Sequence, residues 1–234
     1  MQMQSWSPAI ALRDIVELVA VLAFVVIVPP VIEQVLVQHG ISTSGTNRIV
    51  ATGFILVLWA GFTAVLLLLN REPFSNVGLI NSHNPLKTAI YGLLTTAAIF
   101  AVVVTLEKFG YGQDRLGDMG EELKGNIGLV LERMAISILV VGFVEEFVFR
   151  GFIMSRLANI FGGSQIAWAI ALIGQAALFG FLHGYQQLYG MVLTGAIGLF
   201  LGGVYLIAGR NLWIVIIGHG FYDAAHAAYL GMMR

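Results

Sequence analysis

Residues 134–153 read MAISILVVGFVEEFVFRGFI. The run is apolar and long enough to cross a bilayer as a helix, which needs about 20 such residues. It nevertheless carries Glu145, Glu146 and Arg150. An ionised carboxylate at membrane depth costs roughly 3 kcal/mol or more, so two of them side by side require a partner or a use. Helix geometry separates the two. Neighbouring residues point about 100° apart, whereas residues i and i+4 share a face. Glu146 and Arg150 stand at i and i+4 with the acid on the N-terminal side, the better order for an ion pair. Glu146 is therefore expected to be neutralised by Arg150. Glu145 points elsewhere, has no local partner, and is the candidate reactive group; its plainer alternative is a hydrogen bond to another helix.

The rest of the chain suits a bilayer. Of 234 residues, 58% are hydrophobic and 11% charged, and the mean hydropathy is +0.87; a soluble domain carries about 25% charged residues. A soluble fold would lack polar surface to coat itself. The runs are continuous rather than alternating, which argues against a β-barrel. The expected fold is an all-α, polytopic transmembrane helical bundle of about seven membrane segments, at 15–37, 49–69, 86–106, 127–160, 164–183, 188–208 and 212–232, with a polar site between the last four. One integral membrane domain over 1–234 is expected, its motif-bearing core at about 127–232. The first run is too long for a signal-peptide apolar region and lacks a small-residue cleavage site, so it reads as a retained span. Pro29 and Pro30 within it remove two helix donors and are expected to kink or break it.

The connection 70–85 is polar, with Asn76, Asn81 and Asn84 as turn formers. The stretch 107–125 holds Glu107, Lys108, Asp114, Arg115, Asp118, Glu121, Glu122 and Lys124, and reads as a solvent loop with a short surface helix. Segment 127–160 is too long for one straight span and is expected to begin at the interface near Glu132 and Arg133. Lys and Arg place Arg13, Arg71, Lys87, Arg150, Arg156 and Arg210 toward the cytoplasm and the 107–125 loop outside. A net charge of -1 with no basic cluster gives no sign of a nucleic-acid partner. The absence of cysteine removes disulfides, thiolate catalysis and cysteine-ligated metals.

Two later segments carry further polar groups. Phe179 and His183 are i, i+4, so the ring can pack on the imidazole; a lone His at a helix end can equally be interfacial. His219 and Asp223 are also i, i+4, and His226 follows on nearly the same stripe. Gly218 and Gly220 beside His219 permit close approach of another backbone or a substrate. The alternative for this stripe is a polar seam between helices. Carboxylates and imidazoles transfer protons near neutral pH. A carboxylate beside one imidazole can turn water into a nucleophile, and a second imidazole can hold a tetrahedral oxyanion. This is a hydrolase constellation without Ser, Cys or metal, so no cofactor is expected. The same Glu145, His183 and His219 also form a His2Glu set of the zinc-hydrolase kind, with His226 as a further ligand, although no HExxH is present.

Glu145 to Arg150 match EExxxR, Phe179 to His183 match FxxxH, and His219 to Asp223 match HxxxD, in that order and each on its own apolar segment. The set resembles the CAAX protease and bacteriocin-processing family, also called the type II CAAX prenyl endopeptidase or Abi family. The resemblance covers the half from Glu145 to Asp223. It implies an intramembrane endopeptidase in which Glu145 and His183 activate water and His219 and Asp223 line the oxyanion site, with Glu146, Arg150 and Phe179 supporting. Asn often stands at the position of Asp223 in the family; an ionised Asp repels an oxyanion, so Asp223 is protonated or orients His219. The implied partners are the lipid bilayer and a peptide or protein substrate reached from the membrane, prenylated for some family members, and the implied location is the cell membrane. Two other classes use the same residues: a bacteriocin-immunity or adaptor protein, and a proton-relay transporter, for which no internal repeat is visible.

Overall fold

The computed structural model describes residues 7–80, 84–110 and 117–233, which excludes Asn81, Asp114 and Arg115. The described residues are mostly helical, with no strand among them. The helices are α1 (Pro8–Gln38), α2 (Gly45–Leu69), α3 (Pro85–Lys108), α4 (Gly117–Leu123), α5 (Ile127–Ile160), α6 (Gln165–Leu182), α7 (Gln187–Ile207) and α8 (Leu212–Met232). Short 3₁₀ turns occupy Phe74–Val77 and Gly184–Gln186. Small polar residues start the helices: Ser7, Asn84, Asn126, Ser164 and Asn211 each accept a backbone N–H of the first turn, which satisfies a donor the helix itself leaves open.

Among the described residues, six helices are long and apolar enough to cross a membrane: α1, α2, α3, α5, α6, and α7 with the turn before it. The protein is an integral, multi-pass membrane protein. The seventh expected segment is present as α8, 21 residues long. Its hydropathy is lowered by the polar residues that make it interesting, and much of it is buried among other helices. Large apolar side chains such as Val16, Leu139, Ile166 and Ile207 stay exposed, as expected of surfaces meeting lipid tails rather than water.

One expectation needs correction. Pro29 and Pro30 do not break α1, which is helical from Pro8 to Gln38; neighbouring helices let a membrane helix tolerate such a pair. Segment 127–160 forms one continuous helix, α5, with π-helical stretches at Ser137–Val141 and Glu146–Ile153. The short surface helix expected in the 107–125 stretch is present as α4. Glu122 follows within it and accepts from the Gly45 backbone N–H at 2.8 Å, closing the start of α2.

Close glycine contacts set the spacing of α5 and α8. A Cβ on Gly142 would lie 2.7 Å from the backbone of Gly220, and one on Gly220 would lie 3.1 Å from the Ser137 carbonyl oxygen. Only hydrogen allows the two backbones to meet there, as at small-residue crossings of membrane helices.

A second polar cluster ties the N-terminal helices to the end of α5. Arg156, 2% exposed, donates through Nε to Glu17 at 2.7 Å and pairs through Nη1 with Glu72 at 3.0 Å. Arg13 pairs with Asp14 at 2.8 Å and with Glu72 at 2.9 Å, and Asn70 donates to Glu17. The start of α1, the end of α2 and the end of α5 therefore share one side of the bundle. Arg156→Ala leaves buried Glu17 and half-buried Glu72 short of a donor, at roughly 1–3 kcal/mol for each group left unsatisfied. The expected result is a thermal midpoint in detergent lower by several degrees, with Arg156→Lys recovering only part because it lacks the planar fork.

Candidate active site

Three helices converge near the middle of the bundle. α5 brings Glu145 and Glu146, α6 brings Phe179 and His183, and α8 brings His219 and Asp223. Glu145 is the last residue of an α-helical stretch, and Glu146 opens the π-helical one. π-bulges recur at functional sites because they re-aim side chains. The wider turn reduces the angle between neighbours, and both carboxylates reach the same imidazole on α8. Glu146 Oε1 accepts from His219 Nδ1 at 2.7 Å. Glu145 Oε2 lies 3.9 Å from His219 Nε2.

The ion pair read from sequence is present. Arg150 Nη1 donates to Glu146 Oε1 at 2.9 Å, and both side chains are fully buried. The same carboxylate oxygen thus receives a guanidinium and an imidazole. Glu146 has a second partner that the i, i+4 reading did not show. The Arg150 guanidinium also lies over the Phe179 ring at 4.4 Å. That ring sits 4.7 Å from the His183 ring and 6.3 Å from the His219 ring, centre to centre. Phe179 is therefore the apolar post around which both histidines and the arginine are arranged.

The two imidazoles are oriented through the same ring atom. His183 Nδ1 is 2.7 Å from the Phe179 carbonyl oxygen. Facing an acceptor, it must be the protonated nitrogen, which leaves Nε2 with a lone pair in the neutral ring. His219 Nδ1 likewise faces an acceptor, the Glu146 carboxylate, so its Nε2 is the free atom. That atom lies 3.7 Å from Asp223 Oδ2. The His219 side chain is 6% exposed, against 15% for Glu145 and 21% for Asp223; the two acids form the accessible edge of the site, and the imidazole lies behind them. His226 stands further along α8, its ring stacked parallel to Tyr222 at 6.1 Å.

The structure thus brings Glu145, Glu146, Arg150, Phe179, His219 and Asp223 together. His183 joins them through Phe179, and among the described residues no hydrogen bond links it to Glu145. Nor do three His, Asp or Glu side chains, among those described, stand grouped so as to hold a metal ion. An apolar groove of about 440 Å³ lies between α6 and α7, lined among others by Ile173, Gly180, Phe181, Leu188 and Met191.

Sequence reasoning did not anticipate the Glu146–His219 contact, because it joins positions 73 residues apart and depends on the π-helical register. The glycines at 142 and 220 are the signal that could have suggested it: each is a small residue near a charged one in an apolar run.

No curated protein and no solved structure matches the chain. A family model does: residues 128–225, the span that carries all three motifs, match the model described as type II CAAX prenyl endopeptidase Rce1-like.

Proposed function

We propose that the protein is an intramembrane endopeptidase that hydrolyses a peptide bond of a membrane-associated substrate. The observation that carries this reading is the bracketing of one buried imidazole, His219, by two carboxylates from α5, with a second oriented imidazole, His183, across Phe179. In this reading Glu145 takes a proton from water, and His183 Nε2, with its lone pair turned outward, helps hold that water. The hydroxide attacks the carbonyl carbon and a tetrahedral oxyanion forms. His219, with Nδ1–H fixed on Glu146, offers Nε2–H to that oxyanion when both its nitrogens carry protons. Asp223, 3.7 Å from Nε2, orients that ring. Glu145 then returns its proton to the leaving amine as the C–N bond breaks. Glu146 and Arg150 hold the geometry. The apolar groove between α6 and α7 favours a substrate that arrives from the lipid, where its apolar parts remain out of water.

The reaction is proposed to need no metal. The zinc alternative employs the same Glu145, His183 and His219, and a single assay separates the two. Purified protein in liposomes is incubated with fluorogenic peptides, prenylated and unprenylated, with and without a chelator. Cleavage that survives chelation is expected, as is its loss by about 10²-fold or more in a folded His183→Ala variant. Stoichiometric zinc together with chelator-sensitive cleavage overturns the metal-free mechanism. Full cleavage by His183→Ala removes His183 from it. Should the wild type cleave neither peptide, the binding or immunity reading displaces the protease.

A further inference from the structure

The turn that follows His183 carries features that the proposed mechanism does not use. Tyr185 projects from Gly184–Gln186 and is 78% exposed. Its ring lies 5.7 Å from the His183 ring, tilted by 35°. Its hydroxyl oxygen accepts from Gln186 Nε2 at 3.1 Å. The Gln186 side-chain oxygen Oε1 in turn accepts from Thr194 Oγ1 on α7 at 3.2 Å. The phenol is therefore tethered back to a helix across eight residues. Its oxygen is already used as an acceptor, so its own O–H remains to be donated outward. The ring contact with His183 places the phenol next to the site.

The backbone beside it is strained. Gln187 has φ 60° and ψ -175°, a region occupied almost only by glycine, and costing about 1–3 kcal/mol for other residues. Such strain persists where the surroundings over-determine it. Here it allows α7 to start directly after the turn that carries Tyr185.

We propose that Tyr185, presented by this strained turn, is a substrate-contacting residue that donates its phenol O–H to a backbone carbonyl oxygen of the bound peptide. The proposal rests on the endopeptidase reading above and adds a binding contact to it. The competing account is an interfacial tyrosine that anchors a helix end among lipid headgroups. An anchor of that kind tolerates loss of the hydroxyl, whereas the proposed contact does not.

Binding and cleavage are therefore measured separately, with a fluorescent prenylated CAAX-type peptide and its unprenylated twin in phosphatidylcholine liposomes. Binding is read in the Glu145→Ala background, where turnover does not interfere. Adding Tyr185→Phe there is expected to weaken Kd about tenfold, the value of one ordinary hydrogen bond, with an unchanged thermal midpoint. In the active protein the same change is expected to raise KM about tenfold and to leave kcat within twofold. Gln187→Gly is expected to raise the thermal midpoint while weakening Kd, because the relaxed turn no longer holds the phenol. A Kd for Tyr185→Phe within twofold of its parent overturns the contact and favours the interfacial anchor. An unaltered Kd in Gln187→Gly overturns positioning by the turn. If the peptide binds but the wild type does not cleave it, the endopeptidase reading fails while the Tyr185 result still stands. If neither peptide binds, the contact falls as well.

Discussion

Glu145→Gln is expected to lower kcat for peptide cleavage by about 10²–10⁴-fold, the range in which a positioned general base contributes, while KM and the thermal midpoint stay near wild type. The substitution keeps the shape of the side chain and removes its ability to take a proton. It should not disturb the fold. Glu145 is partly exposed, and its nearest ionisable partner, His219 Nε2, is 3.9 Å away, beyond hydrogen-bond distance. His219 keeps its 2.7 Å bond to Glu146. The oxyanion side of the site therefore remains assembled, and the loss should appear in kcat rather than in binding. Single-turnover cleavage in liposomes, together with a thermal melt of the same preparation, measures both quantities. A folded variant that retains wild-type kcat rules Glu145 out as the base. A variant that loses activity only through KM assigns Glu145 to substrate binding instead.

The legible and hidden parts of this site differ in physical kind. The apolar segments were readable because hydrophobic length is a local property, and the bilayer leaves few other ways to satisfy a backbone. Glu146–Arg150 was readable because i, i+4 is a local relation, and it survives in the helix at 2.9 Å. The three motifs were readable as a set because each places an acid or imidazole in a segment where such a group is costly. What remained hidden depends on contacts between segments distant in sequence. Glu146 meets His219 only because Gly142 and Gly220 let α5 and α8 touch, and because the helix widens after Glu145. A fixed 100° per residue sends Glu146 toward Arg150 and Glu145 away from it. It does not allow both to face α8. Arg156 was visible only as a flanking charge, since its partners Glu17 and Glu72 lie 139 and 84 residues away. Of the kink or break expected at the doubled proline, the break is absent, because in a membrane bundle neighbouring groups can satisfy the carbonyls that proline frees.

Arg150→Met is expected to be the most destabilising single change in the site, at about 3–5 kcal/mol, the cost of leaving one member of a buried ion pair uncompensated. Arg150 and Glu146 are each 0% exposed, so water cannot take over the role of the lost partner. The guanidinium also covers Phe179 at 4.4 Å, and methionine restores much of that apolar contact. The loss should therefore reflect charge more than packing. Glu146→Gln alone is expected to cost less than Arg150→Met, because glutamine keeps an acceptor oxygen for both Arg150 and His219. The double variant, Glu146→Gln with Arg150→Met, removes both charges and is expected to be more stable than Arg150→Met by about 2 kcal/mol or more, a coupling of the size seen between groups in one buried network. Thermal and denaturant unfolding of the four proteins in one detergent closes the cycle. Additive losses would show that the pair is not coupled, and that Glu146 is held mainly by His219. A recovered fold with cleavage still absent would separate the two roles of Glu146: its charge is needed for the imidazole on α8, and Arg150 is needed so that the charge can be buried.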